Sequence, residues 1–128
     1  MTFTRKGESN YTFQSNVLSE FEFKKASVLG TMELFQFETQ YGGFRFLHLY
    51  DKAQQPTYCI QYFPHLDQEP YCFSLELEDF HMLTSYWLVA LQIKQLQSQE
   101  TVNQPLEDIV INIKRMMAKH DIQLMEIR

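Results

Sequence analysis

Apolar and polar residues alternate through most of the first 78 positions and recur at helical spacing after them. Between Ser19 and Val28, Phe21 and Phe23 point one way and Glu20, Glu22 and Lys24 the other, which predicts a strand. From Glu33 to Tyr41 the alternation returns, with Phe35, Phe37, Thr39 and Tyr41 on one side. Gly42-Gly43 has the composition of a two-residue hairpin turn, and Phe44 to Tyr50 is the returning strand. That turn pairs Tyr41 with Phe44, Thr39 with Phe46, Phe37 with His48 and Phe35 with Tyr50, so one side becomes nearly all aromatic. A three-residue loop, Leu29-Gly30-Thr31, with Gly30 left-handed, sets Phe23 against Phe37. Tyr11 to Gln14 reads as a short edge strand.

A second hairpin joins Thr57–Phe63 to Pro70–Leu77 through the six residues from Pro64 to Glu69. Its loop length pairs Tyr62 with Tyr71, Ile60 with Phe73 and Tyr58 with Leu75. The opposite face then carries Thr57, Cys59, Gln61, Cys72, Ser74, Glu76 and Glu78.

Asp79 suits the N-cap of a helix running to about Ser98. Phe80, Leu83, Trp87, Ala90 and Leu91 form its stripe, and Leu88, Val89, Ile93 and Leu96 widen it until the helix reads as well buried. After a polar connection, Pro105 fits the first position of a second helix, whose stripe is Leu106, Ile109, Val110, Ile113, Met116 and Met117. Ile122 to Ile127 reads as a short final strand. These elements predict one α+β domain over residues 1–128: an antiparallel meander of about five strands, with two C-terminal helices laid on its aromatic face. Residues 1–10 are too polar to belong to its core.

Composition narrows the function classes. Eleven basic and sixteen acidic residues give a net charge of −5, and the short basic clusters are broken by neutral or acidic neighbours. A phosphate-binding face is therefore not expected, nor direct nucleic-acid binding. The longest apolar run, Tyr86 to Leu91, falls far short of a membrane span. Two cysteines make no disulfide framework, and the first ten residues hold no signal-like apolar stretch, so a cytoplasmic location is expected.

Catalytic signatures are weak. Glycine-rich phosphate motifs are absent. Cys59, His65, Cys72 and His81 lack the close pair usual in zinc sites, so no metal or other cofactor is expected. His48 falls on the aromatic face with Tyr50 and Tyr58, and a core histidine is the plainer account of it. The opposite face carries Leu34, Leu47, Leu49 and Phe63 among Glu20, Glu22, Glu38, Glu76 and Glu78. With both helices assigned to the aromatic side, that face has no cover, and apolar residues ringed by charge are the composition of a docking patch.

The reading that follows is a non-catalytic binding protein. Glu22, Glu38, Leu47, Leu49, Glu76 and Glu78 contact another protein with a basic surface, as an immunity- or antitoxin-like inhibitor would. Two rivals stand beside it. One is a ligand-binding or enzymatic domain with a pocket near His48, Tyr50 and Tyr58. The other is a homodimeric accessory or chaperone subunit that self-associates through the open face.

Overall fold

A computed structural model describes residues 13–53, 55–64, 69–96 and 103–124. The elements follow the order β1 (Ser15–Leu18), α1 (Glu20–Ala26), β2 (Gly30–Thr39), β3 (Gly42–Tyr50), β4 (Pro56–Phe63), β5 (Tyr71–Leu75), α2 (Leu77–Leu96) and α3 (Gln104–Ala118). The fold is α+β, with a five-stranded antiparallel sheet of order β1-β5-β4-β3-β2 and two C-terminal helices. Two compact units divide the chain: Ser15–Leu77 with Leu124–Arg128, which holds the sheet, and Met1–Gln14 with Glu78–Gln123, which holds the C-terminal helices. The expected strand at Tyr11–Gln14 gives way to one at Ser15–Leu18, and Tyr11 itself lies outside the described residues, as do residues 1–10 and His65. Ile122 to Leu124 is not strand, and the rest of that predicted element lies outside the described residues.

Within the sheet unit, β2 to β5 form a meander. The β4–β5 register is the predicted one: Tyr62 faces Tyr71, Ile60 faces Phe73 and Tyr58 faces Leu75. The β2–β3 register is not. The turn falls at Gln40–Tyr41, so Thr39 pairs with Gly42, Phe37 with Phe44 and Phe35 with Phe46. Because the slip is even from Phe35 to Thr39, these side chains keep their faces, whereas beyond the bulge Met32 joins the aromatic face and Glu33 the opposite one. Phe35 stacks on Phe46 at 4.3 Å between centroids, Phe37 on Phe44 at 5.4 Å and Phe44 on Tyr62 at 5.0 Å, an aromatic ladder across three strands. A bulge between Glu33 and Phe35 leaves Leu34 without a partner residue on β3.

The segment read as a strand at Ser19–Val28 is helix α1. Ser19 and Glu22 close a capping box: the Ser19 hydroxyl accepts from the Glu22 amide, and the Glu22 carboxylate accepts from the Ser19 amide, both at 3.1 Å. Lys24 and Glu20 add an i,i+4 ion pair at 3.0 Å. Topology demands a crossing here. β1 and β2 lie at opposite edges, four strand spacings or roughly 19 Å apart. Seven helical residues cover about 10 Å of that path. Two residues apart on a helix point in nearly opposite directions, so Phe21 and Phe23 cannot share a face. Phe23 and Ala26 pack against Leu47, Leu49, Cys59 and Cys72, together with Leu18, while Phe21 is 75% exposed.

In the helical unit, the Asn103 side-chain carbonyl accepts from the Leu106 amide to cap α3, and its amide donates to the Ala90 carbonyl of α2 at 2.8 Å. The α3 stripe is the expected one, with Ile109, Ile113, Met116 and Met117 buried. Helix α2 starts at Leu77, so Asp79 sits in its first turn rather than capping it. Phe80, Leu83 and Ala90 are buried, but Leu88, Val89 and Leu91 are exposed, so α2 is not buried all round. Among the described residues no helix is long and apolar enough to cross a membrane.

Candidate interaction edge

Leu47 and Leu49 do not belong to an open face. They are 1% and 0% exposed and lie beneath α1 with Cys59 and Cys72. The expectation differs because it gives Ser19–Val28 to the sheet, whereas that segment is the helix whose Phe23 and Ala26 cover these leucines. Nor do the four glutamates gather into a rim. Glu22 lies on α1 beside the β3–β4 connection, and Glu38 lies over Gly43 near the β2–β3 turn. Exposed Glu76 follows β5, and Glu78 belongs to the helical unit. No strand pairing opposes Glu22 to Glu38, since Glu22 is helical and Glu38 pairs with Gly43.

His48, Tyr50 and Tyr58 do come together on the aromatic face. The His48 ring meets Tyr58 edge-on at 5.1 Å and Tyr50 edge-on at 6.4 Å. All three are half-buried, and their rings pack on one another. On the other face, Cys59 and Cys72 are buried thiols, with Cys59 opposite Ser74 and Cys72 opposite Gln61. The Gln61 amide donates to the Cys72 sulfur at 3.5 Å. The Cys59 thiol is pushed up because it donates to Cys72 and because it is buried, so it stays protonated. Among the described residues, no three His, Cys, Asp or Glu side chains are grouped to hold a metal.

Sequence reading missed the surface at the β2 edge. β2 is ten residues long and ends the sheet, and among the described residues only β3 pairs with it. Residues 30–34, 36 and 38 are exposed along it, including Met32 at 47% and Leu34 at 37%. The turn that feeds it, Ser27-Val28-Leu29, is fixed by Gly30 donating to the Ser27 carbonyl and Leu29 donating to the Tyr50 carbonyl, both at 2.9 Å. It presents Val28 and Leu29, more than half exposed. Beside them a cleft of about 660 Å³ runs between α1 and the β3–β4 connection, lined by Phe21, Glu22, Lys25, Ala26, Val28, Asp51, Lys52 and Ala53. Phe21, Val28, Leu29, Met32 and Leu34 thus form an exposed apolar strip along α1, its turn and the sheet edge. Scattered exposed apolar residues are ordinary, but a run along an unpaired strand is not. The signal available in sequence was the Ser19-x-x-Glu22 box, which turns Phe21 outward.

The capping box also makes α1 sensitive to acid. Hydrogen bonds from the Ser19 amide and hydroxyl region hold the Glu22 carboxyl below the ordinary glutamate range. A depressed folded pKa means that this support for α1 is complete above the ordinary value of about 4.3 and is lost as pH falls through the lower folded value. Ser19→Ala is expected to cost about 1 kcal/mol and to raise the Glu22 midpoint part of the way toward the ordinary range, since the residue-19 backbone amide still donates to the carboxylate. An NMR titration of the Glu22 carboxyl carbon in both proteins checks this; identical midpoints would remove the capping box.

Family models, curated proteins and solved structures offer no match to this chain. What the fold and the surface define is an α+β protein that exposes apolar residues along α1, its turn and the terminal strand β2, and in the helical unit at Leu88, Val89 and Leu91.

Proposed function

We propose that the chain is a non-catalytic protein-binding module, and that its contact surface is the β2 edge with the adjoining Phe21–Leu29 strip. One observation carries the reading: ten residues of terminal strand remain exposed over most of their length, with Met32 and Leu34 among them. An unpaired strand offers a row of main-chain donors and acceptors, and proteins use such rows to capture an extended segment of a partner. Exposed edges in non-binding proteins are usually short or heavily charged, and this one is neither. Of its twelve residues from Val28 to Thr39, only Glu33 and Glu38 are charged.

An inhibitor of a basic enzyme fits the same features, since charge complementarity speeds encounter with such a partner. The sheet segment Ser15–Leu77 holds eight acidic and four basic residues, a net of −4 that accounts for most of the chain's −5. The cleft described above lies beside Phe21 and Val28, at the start of the proposed strip.

Leu34→Lys and Phe21→Ser test the reading. Both side chains are exposed, so stability is expected to change by no more than about 0.5 kcal/mol. Co-purification from the native cell with each protein as bait is expected to recover a partner with the wild type and to lose it with both variants. Undiminished capture by both would sink the edge as the contact surface.

A further inference from the structure

The two faces of the β2 edge differ chemically, and this specifies the segment that would pair with it. Strand residues that face one another share a side of the sheet, so each residue of an added strand meets neighbours from one face only. On the aromatic side β2 offers Met32, Phe35 and Phe37, backed by His48, Phe46 and Phe44. On the other side it offers Thr31, Glu33, Gln36 and Glu38. Among the described residues of β2 and β3 the one cation on that side is Arg45, whose Nε donates to Glu33 at 2.6 Å and whose guanidinium also donates to the Gln61 side-chain carbonyl at 3.2 Å. Two carboxylates therefore face one guanidinium that is already engaged. From Ala26 to Phe44 the chain contains no other charged residue.

Resting on the proposed binding role of this edge, we infer that its occupant is an extended segment of another protein in which apolar residues alternate with lysine or arginine. Apolar side chains extend the aromatic ladder beyond Met32 and Phe35, and cationic side chains on alternate positions approach Glu33 and Glu38. A second copy of this chain is a poor occupant. Twofold antiparallel pairing of β2 with itself brings two Glu33 and two Glu38 carboxylates into one short stretch, where like charges oppose pairing. The bulge at Leu34 interrupts the ladder and works against indefinite self-addition in the same way.

Three capped synthetic peptides of about eight residues, close to an ordinary strand length, provide the test. The first alternates valine with lysine, the second alternates valine with glutamate, and the third has the composition of the first with the lysines blocked together. Binding is read by fluorescence anisotropy, and placement by hydrogen exchange across Gly30–Thr39. The first peptide is expected to bind at least about tenfold more tightly than the other two, a difference of about 1.4 kcal/mol. It is also expected to slow exchange within β2, and Glu38→Lys should narrow its preference over the glutamate peptide. Equal binding of the first and third peptides, or binding without protection of β2, overturns the inference. A concentration-dependent dimer that Leu34→Lys dissolves also overturns it and makes a second copy the occupant. If the native partner depends on Leu34 and Phe21 while the valine–lysine peptide fails to bind, the edge stands as a contact surface and only its alternating basic occupant is removed.

Discussion

Gly42→Ala is expected to destabilise the protein by roughly 3 kcal/mol or more, the largest effect of any single methyl addition to its strands. Two terms act together. Gly42 has φ +123°, a region that side chains rarely enter. A methyl group there would also lie 2.3 Å from the Phe63 carbonyl oxygen, inside the backbone of the neighbouring strand. A side chain could swing aside, but Phe63 offers backbone, which is paired with Gly43 of β3. Gly30 separates the two terms. Its φ is +129°, yet nothing lies within 4 Å of the position of an added methyl group, so Gly30→Ala should cost only the backbone strain of about 1–2 kcal/mol. At Gly43 the nearest atoms belong to the Glu38 carboxylate, which is free to move, and an alanine should cost less than about 1 kcal/mol. Urea unfolding of the three variants measures the order. If Gly42→Ala proves no worse than Gly30→Ala, the strands have separated cheaply and the close approach does not constrain the sheet.

The same glycine shows what was readable in the chain and what was not. Gly42-Gly43 was assigned to a turn because a turn residue with positive φ and a backbone passing close to its neighbour both require a missing side chain. The sequence pattern cannot tell these apart. The turn sits two residues earlier, at Gln40–Tyr41, where the Thr39 hydroxyl donates to the Gly42 carbonyl and accepts from the Tyr41 amide, each at 3.0 Å. From Phe35 to Thr39 the faces hold because the displacement is even, and the aromatic ladder was legible for that reason; the bulge before Phe35 reverses the faces of the residues preceding it. In the β4–β5 hairpin even the partners were correct, since alternation on both sides left one register that gathers Ile60, Tyr62, Phe73 and Leu75. Helix α3 was equally clear from its proline and its apolar stripe, although its Asn103 cap was read as part of the polar connection.

The site was lost through a local ambiguity with a distant consequence. Glu-Phe-Glu-Phe alternates like a strand over four residues, whereas the helix signal is one serine and one glutamate three residues apart. Choosing the strand placed Phe21 beside Phe23 and left Leu47 and Leu49 uncovered. Choosing the helix turns Phe21 out, carries the chain across the sheet and hands the terminal position to β2. Which strand ends a sheet depends on the crossing of the connection between β1 and β2, a long-range fact that periodicity does not hold.

Leu49→Ala decides between the two arrangements at the same position. On an open docking face the substitution would leave stability nearly unchanged, since exposed sites tolerate change within about 0.5 kcal/mol. Beneath α1, with Leu49 at 0% exposure among Leu47, Cys59 and Cys72, removing three carbons creates a cavity and is expected to cost roughly 3–4 kcal/mol. The two thiols report on the same cluster without further engineering. Cys59 is 0% exposed and Cys72 is 8% exposed, so a thiol reagent should react with the native protein only as α1 opens or the whole chain unfolds. Leu49→Ala is expected to accelerate that labelling at least about a hundredfold under native conditions, in proportion to its loss of stability. Phe23→Ala, which removes α1's own anchor, should accelerate labelling while lowering global stability less, because Phe23 is only half-buried. Labelling rates that Leu49→Ala and Phe23→Ala leave unchanged would mean that α1 does not cover the sheet. Leu47 and Leu49 would then return to the surface as a rival to the β2 edge.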